Sequence, residues 1–352
     1  MNAFFLTWLK RSAVALLALV TVAIVLFFAV HAYLQSKVRA EIRIPSPQGI
    51  ESLEQVSIGG VTQWILIRGH DKSKPLLLFL HGGPGFPLMP FFQPTTPVEK
   101  EFLIIHWDQR GAGKSYFSTL PKESLNIEQF LADTHELIQM LRQRFRVPRV
   151  YLVGHSWGSI LGMLTINRYP ELFYAYVGIG QVADMQENET ASFQFAVQSA
   201  RRAGDQRAVQ ELTTVGNVGK KWVIAFGGNM YGESDLRKLA YLGFSSPYHS
   251  LLDFKKIIDG AKFSDSALGE ELSRINLFQQ VPTVEVPVYF LEGRHDYMAP
   301  SQIAERYYHM LNAPKGKKLF WFDHSGHWPQ LEEPQKFHEI LIKTILKETF
   351  ER

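Results

Sequence analysis

Residues 149–158 constrain the fold of this chain more tightly than any other segment. Arg149-Val150-Tyr151-Leu152-Val153 reads as a short buried strand, and Gly154-His155-Ser156-Trp157-Gly158 as a tight turn. Ile160, Leu161, Met163, Leu164 and Ile166 then give the apolar side of a helix. A strand that enters a helix through G-x-S-x-G holds the serine on a strained turn, with its hydroxyl pointing out of the sheet. Side chains two residues before and two after would collide with neighbouring backbone, so Gly154 and Gly158 carry none. The N–H groups of the helix's first turn then face any anion that forms beside Ser156. Ser156 is the candidate nucleophile.

The rest of the chain supplies the sheet that such a turn needs. Short apolar runs recur at residues 76–80, 102–107, 150–153, 175–179, 286–291 and 318–322, the pattern of strands buried on both faces of a parallel sheet. Residues 127–145 carry a helical pattern that Asn126 or Ser124 can cap. Earlier, Gly59-Gly60 separates two strand-like segments, 55–58 and 62–67, as in a hairpin. The expected fold class is α/β, a mostly parallel sheet with an antiparallel edge. Residues 181–280 break the rhythm, with helical patterning at 191–203, 207–215 and 250–261 and no convincing strand. They read as a helical cap inserted over the carboxyl ends of the strands, where open α/β sheets bind ligands.

A second feature stands at the N-terminus. Residues 12–34 contain no Asp, Glu, Lys or Arg. As a helix they extend about 34 Å, enough to cross a ~30 Å hydrocarbon core. Lys10 and Arg11 precede them, as expected for a cytoplasmic N-terminus, although Lys37, Arg39 and Arg43 follow. A cleaved signal ending near Val30-His31-Ala32 is the alternative, but the apolar run is longer than a signal's usual core. The expectation is a single-pass anchor with the catalytic body outside the cytoplasm. The chain then divides into a short cytoplasmic N-terminus (1–11), a transmembrane anchor (12–34), a linker (35–50) around Pro45 and Pro47, a first core part (51–180), the cap (181–280) and a second core part (281–352).

Composition removes several function classes. A net charge of +3 and the lack of a long basic run argue against a nucleic-acid partner. Zero cysteines excludes disulfides, thiolate catalysis and cysteine metal sites. His324 and His327 are three residues apart, but no further cluster of ligands supports a metal.

A serine nucleophile needs a base and an acid that orients it, in the chain order Ser, Asp/Glu, His for this architecture. Glu292-Gly293-Arg294-His295-Asp296 follows one predicted strand, and Asp323-His324-Ser325-Gly326-His327-Trp328 follows another. Asp296 is assigned as the acid and His327 as the base, in preference to Glu292, Asp323 and His324. For the developing oxyanion, one donor is the N–H of Trp157, the residue after the nucleophile. The other is expected from the loop His81-Gly82-Gly83-Pro84-Gly85, directly after residues 76–80.

These motifs carry a family resemblance. His81-Gly82-Gly83-Pro84-Gly85, Asp108-Gln109-Arg110-Gly111-Ala112-Gly113-Lys114-Ser115 and Gly154-His155-Ser156-Trp157-Gly158-Ser159 together resemble the proline iminopeptidase group of α/β-hydrolases. Gly293-Arg294-His295-Asp296 and Ser325-Gly326-His327 are similar to that group's acid and histidine segments. The resemblance implies an α/β-hydrolase fold, a serine hydrolase without a cofactor, Gly83 and Trp157 as oxyanion donors, and a cap that selects the substrate. Asp108 and Arg110 are expected to be structural. Aminopeptidases of this group hold the substrate's free amine with cap carboxylates. Here the cap offers Glu187, Glu189, Glu233 and Asp235, and Glu187 and Glu189 are the candidate substrate-binding residues because they follow a core strand closely.

The expectation is a membrane-anchored serine hydrolase acting on a small molecule or short peptide, proline iminopeptidase-like in specificity. An esterase, lipase or lactonase with the same triad is the alternative enzyme. An inactive membrane-tethered binding module is the alternative of another class. Epoxide hydrolases and haloalkane dehalogenases use a carboxylate nucleophile, which Ser156 is not.

Overall fold

Gly59 and Gly60 have φ of 55° and 75°, the left-handed pair that a two-residue hairpin turn requires. They join β1 (Ile50–Ile58) to β2 (Val61–Gly69) as an antiparallel pair. The computed structural model describes residues 3–215, 220–232 and 236–350. The apolar runs that follow form β3 (Leu76–Leu80), β4 (Leu103–Asp108), β5 (Val150–His155), β6 (Phe173–Ile179), β7 (Val288–Gly293) and β8 (Lys317–Phe322). They make one sheet in the order β1-β2-β4-β3-β5-β6-β7-β8. Only β1–β2 and β2–β4 pair antiparallel, and every pairing from β4 to β8 is parallel. Every residue of β3, β4, β5 and β7 is buried, which is why these strands read as continuous apolar runs instead of alternating.

The N-terminal helix α1 (Ala3–Glu41) is longer than the sequence suggests. Its most apolar 18-residue window has a mean hydropathy of 3.0 and none of it is buried against the body. The helix continues past the expected anchor (12–34) through residues 35–41, the first part of the segment read as linker. The reason is a stripe at helical spacing that packs on the body, with His31 and Val38 buried and Gln35 Nε2 donating to Ser246 O (2.7 Å) and His249 O (2.8 Å). One residue past the helix, Ile42 O accepts from the buried Arg68 at 2.6 Å.

Helices α2 (Ile127–Phe145) and α3 (Trp157–Arg168) cover the sheet. Asn126, and not Ser124, caps α2 by accepting from Gln129 N at 2.8 Å. Between β6 and β7 lie the helices of the cap: α4 (Met185–Ala203), α5 (Gln206–Val215), α6 (Lys221–Ala225), α7 (Arg237–Ser245), α8 (Leu251–Leu272) and α9 (Leu277–Gln280). Glu233 and Asp235 are outside the described residues. Helix α8 starts with a capping box between Ser250 and Asp253 and docks closely on the core. A Cβ at Gly85 would come within 2.7 Å of Gly260 O. Ser264 Oγ donates to Gly111 O at 3.3 Å, and Lys114 Nζ meets Asp253 Oδ2 at 2.8 Å with both side chains mostly buried. After β7 come α10 (Ser301–Met310) and, after β8, α11 (Pro329–Glu332).

Candidate active site

The turn between β5 and α3 is strained where the motif places it. Ser156 has φ 55° and ψ −119°, and among the described residues only Arg146 shares a positive φ without being glycine. A serine in this region persists only where its surroundings hold it there. A Cβ on Gly154 would come 2.3 Å from Gly158 O, and one on Gly158 2.2 Å from Leu80 O. Both glycines are therefore required by close backbone approach. Ser156 N donates to Ile179 O at 3.0 Å, and Ser156 O accepts from Ser159 Oγ at 2.6 Å. Its own hydroxyl has no hydrogen-bond partner among the described residues.

The acid and histidine segments converge at the carboxyl ends of β7 and β8. His327 Nδ1 donates to Asp296 Oδ2 at 2.7 Å. The other oxygen, Oδ1, accepts from Met298 N and Ala299 N, both at 2.8 Å, so the fully buried carboxylate is held from two sides. The close approach of the two loops rests on glycine again, because a Cβ on Gly293 would come 1.9 Å from Gly326 O. The competitors are occupied elsewhere. His324 is exposed and its ring faces Tyr231, and exposed Asp323 pairs with Arg294. Glu292 is buried and accepts from Gln181 N at 3.0 Å, and burial pushes its carboxyl well above the usual carboxylate range.

Two positions that the sequence reading passed over complete the support. Gly180, just after β6, has φ 54°, and a Cβ there would come 2.8 Å from His327 Nδ1 and 3.1 Å from Asp296 Oδ2. Asn229, in the cap, accepts from His327 N through its backbone carbonyl at 2.7 Å and from Trp328 Nε1 through its side chain at 3.1 Å. Neither has a signature at the sequence level, because each matters only through a segment far along the chain. His155 Nε2 donates to His327 O at 2.8 Å. Burial, with the neighbouring His327 adding to it, pushes the His155 pKa well below the usual histidine value.

The glycine-rich loop lies against the same turn. A Cβ on Gly82 would approach Ser156 Cβ to 3.1 Å, and Gly83 has φ 114°. Trp157 is the first residue of α3, where a backbone N–H has no acceptor within the helix. Gln109 ties these parts together. Its Oε1 accepts from Trp157 Nε1 at 3.2 Å, its Nε2 donates to His81 O at 3.3 Å, and its backbone N–H donates to His81 Nε2 at 3.1 Å. Burial pushes His81 down to about 4, so it stays neutral, with Nδ1 donating to Gly82 O at 2.8 Å. Arg110 forms a buried two-point pair with Asp133 at 2.9 and 3.0 Å, and Asp108 Oδ2 accepts from Lys114 N at 2.8 Å. Both side chains are engaged with other parts of the fold in this arrangement.

Glu187 and Glu189, the candidate substrate-binding residues, lie at the start of α4. Both are exposed on the first turns of α4, and the Glu187 carboxylate pairs with Arg306 of α10. Arg306 lies 119 residues further along, so the sequence alone gives no warning of this partner.

The profile of the α/β hydrolase fold family matches residues 75–334. The chain belongs to the α/β-hydrolase family. Among curated relatives, the probable aminopeptidase YbaC of Bacillus subtilis is 34% identical over 324 residues, 85% of this chain and 98% of that protein. The crystal structure of a proline iminopeptidase from Mycobacterium smegmatis superposes with a TM-score of 0.61 at 16% identity, covering 85% of this chain and 99% of that one. A membrane phospholipase A structure gives a TM-score of 0.66 at 17% identity over 97% of this chain and 100% of that one. The uncovered 3% is shorter than the 39-residue α1, so that likeness extends into the N-terminal helix. At these identities both structures bear on the fold alone. As a hydrolase of this family with aminopeptidase relatives, the chain is an enzyme.

Proposed function

We propose that this α/β-hydrolase is a membrane-anchored serine hydrolase that cleaves small peptides from their amino end through an acyl-enzyme. The observation that carries the chemistry is the 2.7 Å bond from His327 Nδ1 to Asp296 Oδ2, beside a serine held at φ 55°. The Nδ1–H bond to the carboxylate leaves His327 Nε2 unprotonated and able to accept a proton. Ser156 Oγ attacks the scissile carbonyl carbon while His327 takes its proton. The carbonyl oxygen, now an anion, accepts from the N–H groups of Gly83 and Trp157. The imidazolium then protonates the leaving amine as the C–N bond breaks, which leaves an ester on Ser156. Water attacks that ester with His327 again as base, and the acid product departs with Ser156 restored.

The aminopeptidase relative supports peptide specificity. The long exposed apolar helix supports the anchor. Basic residues flank it on both sides (Lys10 and Arg11; Lys37, Arg39 and Arg43), so an extracytoplasmic body is part of the proposal and is not read from their charge. One observation favours a second reading, hydrolysis of small acyl esters: the Glu187 carboxylate is already paired with Arg306, so it is not free to hold a substrate ammonium. Hydrolysis rates separate the two readings. Prolyl and other aminoacyl p-nitroanilides are compared with their N-acetylated forms and with p-nitrophenyl acyl esters. The peptide reading expects free aminoacyl substrates to be cleaved and acetylation to suppress cleavage. Equal rates on free and blocked substrates, with faster ester turnover, establish the second reading instead.

A further inference from the structure

Helix α1 does not leave the body as a free tether. Phe27 packs against Phe244 of α7 with ring centroids 5.4 Å apart, and His31, one turn on, packs against the same ring at 4.6 Å. Gln35 then grips the turn between α7 and α8 through two carbonyls, and Arg39 donates to Pro247 O at 3.2 Å. These contacts fix the cap at a defined height along the apolar segment.

That height follows from length. With Lys10 and Arg11 in one headgroup layer, about 20 residues of helix cross the ~30 Å hydrocarbon core, which puts the other boundary near Ala32. Phe27 then lies about 7 Å inside that boundary, given a rise of 1.5 Å per residue. Phe244 touches Phe27, so the α7 end of the cap reaches bilayer depth. Gln35, about one turn beyond the boundary, holds the turn from Ser246 to His249 at headgroup level.

The side chains around that turn match this placement. Tyr241, three residues before Phe244 and therefore on the same helix face, is 52% exposed. Leu252, in the first turn of α8 and three residues after His249, is 81% exposed. What sets these side chains apart is their place beside the apolar helix, where they suit the boundary between headgroups and acyl chains.

We infer that the cap is a second membrane-binding element, with Tyr241, Phe244 and Leu252 seated in the bilayer surface beside α1. The occupant of this apolar face is lipid, because the face continues directly from the exposed apolar surface of α1. The inference rests on the reading of α1 as a membrane anchor. It means that the lid over Ser156 is held by the membrane as well as by the core, so cap position responds to lipid packing.

The chain has no cysteine, so single-cysteine variants of the full-length protein can be labelled cleanly. Leu19→Cys, Tyr241→Cys, Leu252→Cys and Lys315→Cys are each labelled with an environment-sensitive fluorophore. Each is reconstituted in phosphatidylcholine vesicles, with and without lipid carrying a nitroxide near the top of the acyl chain. Lys315 is exposed in the loop before β8, at the opposite end of the strands from the site, and serves as the control. The inference expects quenching at 241 and 252 at least about twofold deeper than at 315, as for side chains a few ångströms inside the interface. Quenching at 19 with positions 241 and 252 matching 315 overturns the cap contact and leaves the anchor standing. Loss of quenching at 19 as well overturns both.

Discussion

Gly180 lies directly beneath the His327 ring, so close that a Cβ at residue 180 would come 2.8 Å from Nδ1. The backbone there has φ 54°, a conformation costing an L-residue about 1 kcal/mol or more. Gly180→Ala therefore strains its own backbone and pushes the imidazole off Asp296. The fold is expected to survive while turnover falls about a hundredfold, the effect of a displacement near 1 Å at a reacting group. Rates on the preferred substrate, read beside the thermal midpoint, check this. Wild-type turnover in a folded Gly180→Ala protein contradicts it.

Asp296 holds the Nδ1 proton of His327, and an amide in its place can present an N–H to that nitrogen. Asp296→Asn is expected to move the imidazole proton to Nε2, where it blocks proton acceptance from Ser156. The resulting fall in kcat is of the order of 10⁴-fold. His324→Ala, on an exposed ring that faces Tyr231, is expected to change kcat by less than about threefold, as for a surface change outside the network. Reversal of the two results assigns the base to His324.

Acid stability has a sign set by buried imidazoles. Burial pushes His106 down to about 3, with Arg68 adding to it, and the ring stacks on Phe79 at 5.0 Å. The unfolded chain takes up a proton there below about pH 6.5, while the folded chain refuses it until the pH is far lower. This contribution is complete above pH 6.5 and is lost as pH falls toward 3, at about 1.4 kcal/mol per pH unit for each proton withheld. His81, pushed down to about 4, acts with the same sign. Glu292 acts oppositely, because its raised carboxyl stabilises the folded state at low pH and loses that effect as pH rises through its folded value. His106→Gln is expected to be less stable than wild type at pH 7, with the gap narrowing by pH 5. Unfolding midpoints in detergent at the two pH values read this directly. A constant gap removes His106 from the account.

The ion pair of Lys114 with Asp253 joins the second glycine-rich motif to the start of α8, and the two side chains are 13% and 10% exposed. Removing one partner leaves the other poorly compensated, at a cost of roughly 1–3 kcal/mol, allowing for the solvent that still reaches the pair. Lys114→Ala is expected to speed hydrogen exchange across α8 while α2 stays protected. Equal exchange in both helices shows that the pair does not hold the cap.

Much of the core was legible because burial on both faces writes itself as uninterrupted apolar runs. The run at 76–80 is β3 itself, while at 175–179 the strand starts two residues earlier, at Phe173. The elbow was legible because strand, turn and helix follow one another in a single stretch and Gly154 answers to the local Gly158 O, although Gly158 itself answers to Leu80 O at the end of β3. Other features depend on partners distant in sequence. Gln35 looks like a linker residue until the turn of Ser246 and His249 is placed against it. Glu187 looks like a pocket carboxylate until Arg306 is brought beside it. Gly180 looks like an ordinary strand-ending glycine until His327 is folded over it.

The central claim is that Ser156 is the nucleophile, and covalent labelling tests it most directly. Full-length wild type and Ser156→Ala are treated with a fluorophosphonate probe, and the labelled peptide is mapped by mass spectrometry. The account predicts one phosphonate adduct on Ser156 in the wild type and none in the variant. Equal labelling of the two proteins, or an adduct mapped to another serine, contradicts it.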